Sequence, residues 1–364
     1  MLKLIQNQKK EKLFSDLFCI SNNCHYILDI KEYFDWEYDD SYFELSEYYN
    51  FLFIENLLKY KDSFLKISNS VINSYISSDF PLNNYYFDYY TSFNKLKKED
   101  MLEIMYSFLN DLDYDLLKKF KQKISEGDFV VSNFKGDYSY LCGLSSDLNS
   151  LKKTLVYINS NYYDKNTIDV AAIMMHEYGH CFERSLYHEN GIKNNMNLYP
   201  FSEVSSEFFE FSFINYLLEN NIYVNDVKKW IRKRYSRLFH EILGINLLSQ
   251  VKISLDNKEL IYDINYLNTK KKKIEEKVNY YGYGNLEINN ETLSNSYLYG
   301  IGILFSIYLY DNYKNNPKNF MKEFKNILFT YQSINNINAF ERVGITEEKL
   351  IDGSILKRYL KNSR

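Results

Sequence analysis

The sequence predicts a mainly α-helical fold with a small β-sheet. Among its 364 residues are only three prolines and 12 glycines, so few positions interrupt a helix. Apolar residues recur at helical spacing over long segments, most clearly at 99–109. The pattern becomes β-like at 128–131 and again at 155–159, just before another helical segment. We therefore expect helices through most of the chain and a small sheet near its middle.

The order of these segments predicts two regions. Residues 1–95 are expected to form an N-terminal helical region, whose turns are rich in Asn, Ser and Asp and which shows no evident chemistry. Residues 96–364 contain the mixed helical and β-like segments and are expected to form a second domain, which carries the chemically active residues described below.

Composition and charge exclude several classes of partner. The net charge of -4 argues against nucleic acid, and the basic run at 270–273 is followed by Glu275 and Glu276, as on a solvated helix face. No apolar run approaches the roughly 20 residues that cross a bilayer. The N-terminus lacks the apolar core of a signal peptide. These features predict a cytoplasmic protein with neither a nucleic-acid nor a membrane partner, and they leave the oligomeric state open.

Cysteine usage agrees with a reducing compartment. The chain has four cysteines, too few and too irregularly spaced for a disulfide framework or a thiolate zinc site. A metal site, if present, should therefore use imidazole and carboxylate ligands.

Residues 176–180 read His-Glu-Tyr-Gly-His, a pattern typical of a zinc-binding helix. Two histidines four residues apart project from the same side of a helix, so His176 and His180 can both reach one metal ion. Glu177 cannot comfortably bind the same ion from that helix. Its carboxylate can instead take a proton from the water that attacks a substrate. The pattern predicts metal-dependent hydrolysis.

The third metal ligand must come from elsewhere, and Glu203 is the leading candidate. A helix predicted from about 201 to about 219 places Glu203, Glu207 and Glu210 on adjoining positions of one face. Glu210 could then accept a hydrogen bond from a ligating histidine.

The residues around the motif favour a helix over a chance match in a loop. Thr167 is a plausible N-cap, Asp169 places a negative charge in the first turn, and Asn190-Gly191 supplies a stop. A structural alternative is a buried helix whose two histidines are satisfied core or surface groups. The strand before this helix could pair with an extended peptide, although a purely structural hairpin explains the same pattern.

Several segments together resemble the thimet oligopeptidase and oligopeptidase F family of zinc metallopeptidases, over roughly residues 96–350. The metal helix with Glu203-Val204-Ser205-Ser206 carries the most specific part of this resemblance. The other segments that are similar to family motifs are Gly136-Asp137-Tyr138-Ser139, Tyr297-Leu298-Tyr299-Gly300-Ile301-Gly302 and Ala339 to Ile345.

The resemblance implies a two-lobed, zincin-like helical metallopeptidase with one zinc ion and a small sheet beside the active-site helix. Short unstructured peptides would be its substrates. Carried over by position, the metal ligands are His176, His180 and Glu203, the general base is Glu177, and Tyr299 donates to the oxyanion. Tyr297, Tyr281 and Tyr283 are alternative donors.

Two departures from the family pattern matter. Residues 287–289, where members usually have a histidine, read Glu-Ile-Asn. The chain is also shorter than typical members before the catalytic part, which predicts either a more open cleft or a partner that completes it.

Two other functions remain open. A zinc carboxypeptidase of a related helical class would need a cation for the substrate's terminal carboxylate, for which Arg184 and Arg342 are candidates. A peptide-binding protein with weakened catalysis would account for the missing histidine. His188 and His240 fit no ligand spacing and are expected to be structural.

Overall fold

The structure is a computed structural model, and it describes residues 27–28, 41–82, 93–134, 142–148, 153–191, 201–254, 259–280, 290–330 and 337–363. These residues are mainly helical, which confirms the predicted fold class. They divide into two compact units, one within Met1–Glu47 and Phe93–Lys193 and the other within Tyr48–Ser92 and Asn194–Arg364. The functional division expected between residues 95 and 96 stays a prediction.

The described residues form helices and strands in a fixed order along the chain. The helices are α1 (Ser41–Ser78), α2 (Lys98–Leu112), α3 (Tyr114–Ser125), α4 (Ser160–Tyr163), α5 (Ile168–Asn190), α6 (Val204–Glu219), α7 (Val224–Leu248), α8 (Ile264–Lys277), α9 (Asn290–Asn315), α10 (Pro317–Thr330), a 3-10 helix (Ile337–Val343), α11 (Glu347–Asp352) and α12 (Ser354–Asn362). The strands are β1 (Ile27–Leu28), β2 (Phe129–Phe134), β3 (Gly143–Leu148), β4 (Lys153–Asn159), β5 (Lys252–Ser254) and β6 (Glu259–Ile261).

The first unit contains a sheet in the order β1-β2-β4-β3. Neighbours β1 and β2, and β2 and β4, are parallel, whereas β3 runs antiparallel to β4 and forms one edge. The two segments with a β-like sequence pattern are thus the neighbouring strands β2 and β4. Strand β3 was not predicted, because its sequence Gly-Leu-Ser-Ser-Asp-Leu offers little apolar alternation.

Helix α5 packs against β3 and β4. It begins directly after Thr167, the predicted N-cap, whose side chain makes no capping hydrogen bond. Gly191 ends the helix in the left-handed conformation, with φ of 65°. Both predicted ends of the helix are confirmed, and a glycine at its C-terminal end explains the stop.

In the second unit α9 is the central helix. Its residues 300–310 are buried continuously, and it packs against α6 and α7. A helix that is apolar all round belongs in the interior of a helical layer. Gly302 allows the close approach to α6, since a Cβ there would lie 2.9 Å from the Cβ of Glu203 and 2.9 Å from the Cγ of Glu207. Among the described residues, no helix is both long enough and apolar enough to cross a lipid bilayer.

Candidate metal centre and catalytic groups

His176 and His180 present their imidazoles together on one side of α5. Their ring centroids are 5.0 Å apart, the ring planes are nearly perpendicular at 82°, and both side chains are half-buried. The predicted helical spacing therefore holds, and two nitrogen ligands are offered from one rigid element.

Glu177 lies between the two histidines in sequence and is buried, with 8% of its surface exposed. It sits directly against the edge strand: a Cβ added to Gly143 of β3 would stand 2.8 Å from the Glu177 Cγ and 3.0 Å from its Oε1. Any side chain at position 143 would push the carboxylate aside. A glycine in this strand is thus required by the close approach of the glutamate.

The opposite side of α5 is anchored in the core of the same unit. The Tyr178 hydroxyl donates to the Leu116 carbonyl at 2.9 Å, and its ring packs edge-on against Phe120. Burial raises the pKa of Tyr178 well above its ordinary value, so the hydroxyl keeps its proton and remains a donor. The tyrosine of the pentapeptide therefore fixes the helix, which in turn aims the histidines.

Cys181 is the residue next to His180, yet it is not equipped to bind a metal. It is completely buried, and burial raises the pKa of its thiol to about 11. A thiol with that pKa is protonated at neutral pH, whereas metal binding needs the thiolate. The expectation of a site without thiolate ligands agrees with this environment.

Strand β4, expected from the sequence to pair with a peptide, is paired with β2 on one side and β3 on the other, so that expectation is wrong. The neighbouring strand β3 has one edge that faces away from β4. The Asn159 amide donates to the Cys142 carbonyl at 2.9 Å, so Cys142 and Asn159 form a hydrogen-bonded pair. Such pairs alternate along an antiparallel ladder, and hence the backbone groups of Gly143 and Ser145 point away from β4. These groups can accept an additional extended chain.

Arg184 holds this edge from α5. Its Nη1 donates to the Ser145 carbonyl at 2.7 Å and to the Ser145 Oγ at 2.9 Å. The residue follows Glu177 by seven positions, two helical turns, and therefore lies on the same face of the helix. The sequence marked Arg184 only as a possible carboxylate-binding cation and gave no sign of its contact with β3.

Glu203 belongs to the second unit and is the N-cap residue of α6, not a residue within the helix as predicted. Its carbonyl accepts the first helical hydrogen bond, from the Glu207 amide at 3.0 Å. The Ser206 hydroxyl lies 2.9 Å from the Glu203 carboxylate and 2.9 Å from its carbonyl. The carboxylate is half-buried and held by a neighbour, which suits a metal ligand.

Glu207 and Glu210, predicted to lie near Glu203 on one face, are both buried and both bind Arg234 of α7. The Arg234 Nη2 lies 2.6 Å from the Glu210 Oε2, and the guanidinium stacks over the Trp230 ring at 5.5 Å. One cation thus compensates two buried carboxylates of α6. Sequence reasoning missed Arg234 because it lies 24 positions from Glu210.

Tyr299 of α9 is half-buried, and the Arg237 guanidinium lies 4.0 Å from the centre of its ring. Gly302, which contacts Glu203, follows one turn later on the same side of the helix. Tyr297 is instead fully packed, with its hydroxyl 2.9 Å from the Ser249 Oγ and its ring against Phe64. Of these two tyrosines, only Tyr299 has exposed surface to offer.

The remaining sequence candidates are structural or lie elsewhere. His240 contacts the Tyr280 hydroxyl through Nδ1 at 3.4 Å, and His188 lies in the last turn of α5. Arg342 is exposed in the 3-10 helix. Tyr281, Tyr283, the segment at 287–289 that lacks the family histidine, and the segment at 136–139 all fall outside the described residues.

The chain is similar in structure to solved proteins that bear peptidase names. One is a candidate oligoendopeptidase F from Bacillus anthracis strain Ames, with a TM-score of 0.52 and 13% identity over 85% of this chain and 56% of that one. A second candidate oligoendopeptidase F gives a TM-score of 0.59 and 10% identity over 82% of this chain and 58% of that one. A candidate peptidase from Chlamydophila abortus gives a TM-score of 0.54 and 15% identity over 84% of this chain and 55% of that one.

These likenesses establish the fold. The chain spans between 55% and 58% of the length of the three proteins. No protein-family model and no curated protein matches the sequence.

Proposed function

We propose that this chain is a zinc-dependent endopeptidase that hydrolyses peptide bonds in short unstructured peptides in the cytoplasm. The observation that carries the proposal is the arrangement on α5, where two imidazoles share one face and Glu177 is buried against the edge strand β3. The fold shared with candidate oligoendopeptidases supports the same conclusion. The free thiols Cys142 and Cys181 are compatible with a reducing compartment.

The donor set fits a zinc ion. The proposed ligands His176, His180 and Glu203 would offer two imidazole nitrogens and one carboxylate oxygen. Three protein ligands of these types, with a fourth position left open, are typical of catalytic zinc. Ser206 would orient Glu203, and Tyr178 would keep α5 in place. A zinc ion held by these residues would supply Lewis acidity, which polarises a peptide carbonyl and acidifies water.

Glu177 is the proposed general base. Its carboxylate would take a proton from the attacking water and then pass it to the leaving amine. The close contact with Gly143 would hold the carboxylate in one position. A fixed carboxylate is the better proton acceptor, because its orientation towards the water is set in advance.

The edge of β3 would bind the peptide backbone. The outward groups of Gly143 would pair with an extended chain and thereby recognise peptide without demanding a particular sequence. Tyr299 would donate from its phenol to the oxyanion of the tetrahedral intermediate, its ring being held by Arg237.

Product mapping by mass spectrometry on a mixed library of short peptides tests the proposal. The purified protein should cleave internal bonds, and a chelator should abolish cleavage. Glu177→Gln should retain the metal, measured by elemental mass spectrometry, and lose nearly all turnover. Glu189→Gln is the matched control, since Glu189 lies near the end of the same helix in an exposed ion pair with Lys119. Parental cleavage rates in the Glu177→Gln variant would refute the mechanism.

A further inference from the structure

Arg184 of α5 contacts the edge strand β3. Its hydrogen bonds run from Nη1 to Ser145, and within the described residues it forms no ion pair with any carboxylate. The side chain is half-buried beside the sheet edge. A guanidinium has five N–H donors, so Nη2 and Nε remain for a further partner.

The position of Arg184 relative to Glu177 sets a distance along the edge. Gly143 contacts Glu177, and Ser145 contacts Arg184, so helix and strand advance in the same direction. Two residues of a strand span about 6.6 Å. An extended peptide that pairs with β3 and presents its scissile bond to Glu177 therefore has a residue about two positions away beside Arg184.

Arg184 also limits how far that pairing can run. It occupies the Ser145 carbonyl, which is one of the outward backbone groups of β3. A peptide backbone can use the Gly143 groups but loses this acceptor. Instead it meets a positively charged donor group where the ladder would have continued.

We propose that Arg184 is a specificity-determining residue that binds a carboxylate of the substrate about two residues from the scissile bond. This inference rests on the proposed function. A carboxylate matches the planar donor geometry of a guanidinium. The partial burial of Arg184 reduces the screening of this charge pair by water and salt. The carboxylate comes either from an acidic side chain or from the free C-terminus of a short peptide, and both present the same chemistry.

Paired peptides distinguish these sources. One series carries Glu or Gln at each position within three residues of the cleaved bond, and a second ends in a free acid or an amide. In the pair whose carboxylate lies beside Arg184, the acidic peptide should be cleaved about tenfold more efficiently than its neutral partner, mainly through a lower KM. Arg184→Gln should bring the ratio of the pair close to one, and Arg184→Lys should restore part of it. Arg342→Gln, which removes an exposed arginine of the other unit, should keep the parental ratio.

A structural role for Arg184 would give a different result. If the residue only fixed β3, Arg184→Gln would slow every peptide by the same factor and leave the ratio unchanged, which would overturn the inference. Equal cleavage of all pairs by the parent protein would overturn it as well.

Binding measured separately from turnover keeps this inference apart from the proposed function. Isothermal titration calorimetry of the paired peptides against the Glu177→Gln variant reports affinity without hydrolysis. If this variant binds the acidic peptide more tightly, and adding Arg184→Gln to it removes the difference, the role of Arg184 is supported even if the parent protein cleaves nothing. Equal affinities for both members overturn the inference even if the parent protein cleaves peptides.

Discussion

Gly143 touches Glu177 so closely that a single methyl group at position 143 would stand 2.8 Å from the Glu177 Cγ. Gly143→Ala should therefore displace the carboxylate and lower kcat by roughly 100-fold, the effect expected from a misplacement of about 1 Å. Peptide cleavage and thermal unfolding should be measured together. Gly191→Asn is the control, because no atom of the described residues lies within 4 Å of a Cβ built at Gly191 and asparagine tolerates its left-handed conformation. An alanine variant with parental kcat would show that Glu177 needs no fixed position.

Ser206 should tune metal affinity through its hydrogen bond to the Glu203 carboxylate. Ser206→Ala should weaken zinc binding about tenfold or more, because partners that orient a ligand typically contribute that much. Competition with a chromophoric chelator measures the affinity directly. Ser212→Ala, on the same helix, removes a buried hydroxyl that has no hydrogen-bond partner among the described residues and should leave zinc affinity unchanged. Equal affinity in the Ser206 variant and the parent would contradict this role.

Arg234 should matter for stability more than for chemistry. Arg234→Met leaves Glu207 and Glu210 buried without their cation, and removal of one partner from such a group costs about 3–5 kcal/mol. Urea denaturation followed by circular dichroism gives the free energy of unfolding. Adding Glu207→Gln and Glu210→Gln to the variant should recover part of the loss. A single variant as stable as the parent would mean that the carboxylates are compensated otherwise.

Tyr299 and Tyr297 form a matched pair for the proposed oxyanion donor. Tyr299→Phe should lower kcat by roughly 100-fold with little change in KM, since the phenol would act only in the transition state. Tyr297→Phe removes the hydrogen bond to Ser249 and should cost about 1 kcal/mol of stability with kcat retained. Steady-state kinetics and denaturation of both variants test these two expectations. The reverse pattern would assign the catalytic role to Tyr297.

Cys181 should contribute to stability in a defined alkaline range. Burial raises its pKa from 9.0 to about 11, so the folded state binds the thiol proton more tightly than the unfolded chain. That stabilisation is fully present below about pH 9 and is lost as the pH rises towards 11. Denaturation of the parent and of Cys181→Ala across this range should give curves that converge at high pH. Parallel curves would contradict the raised pKa.

Local patterns in the sequence predicted the elements to which the proposed function assigns the chemistry. The spacing of His176 and His180, the glycine after Asn190 and the alternation at 155–159 all act within a few residues, and the structure confirms the corresponding helix and strand. Strand β3 could not be predicted in this way, because pairing with β4 places it and not its own sequence.

Long-range partners were also beyond local reasoning. Arg234 lies 27 positions from Glu207, and Arg237 contacts a tyrosine on another helix. Tertiary packing brings these arginines to their acidic and aromatic partners, and no periodicity in the sequence marks them. The proposed ligands, Glu177 and Tyr299 remain predictions that the experiments above test.

The hydrogen bonds from Arg184 to Ser145 also bear on solubility. A sheet border with a long row of unused amides and carbonyls can recruit strands from other copies of a protein and start aggregation. Here a charged side chain interrupts that row after Gly143. The same interruption that shortens the peptide-binding edge should thus keep copies of the folded chain from stacking edge to edge at high concentration.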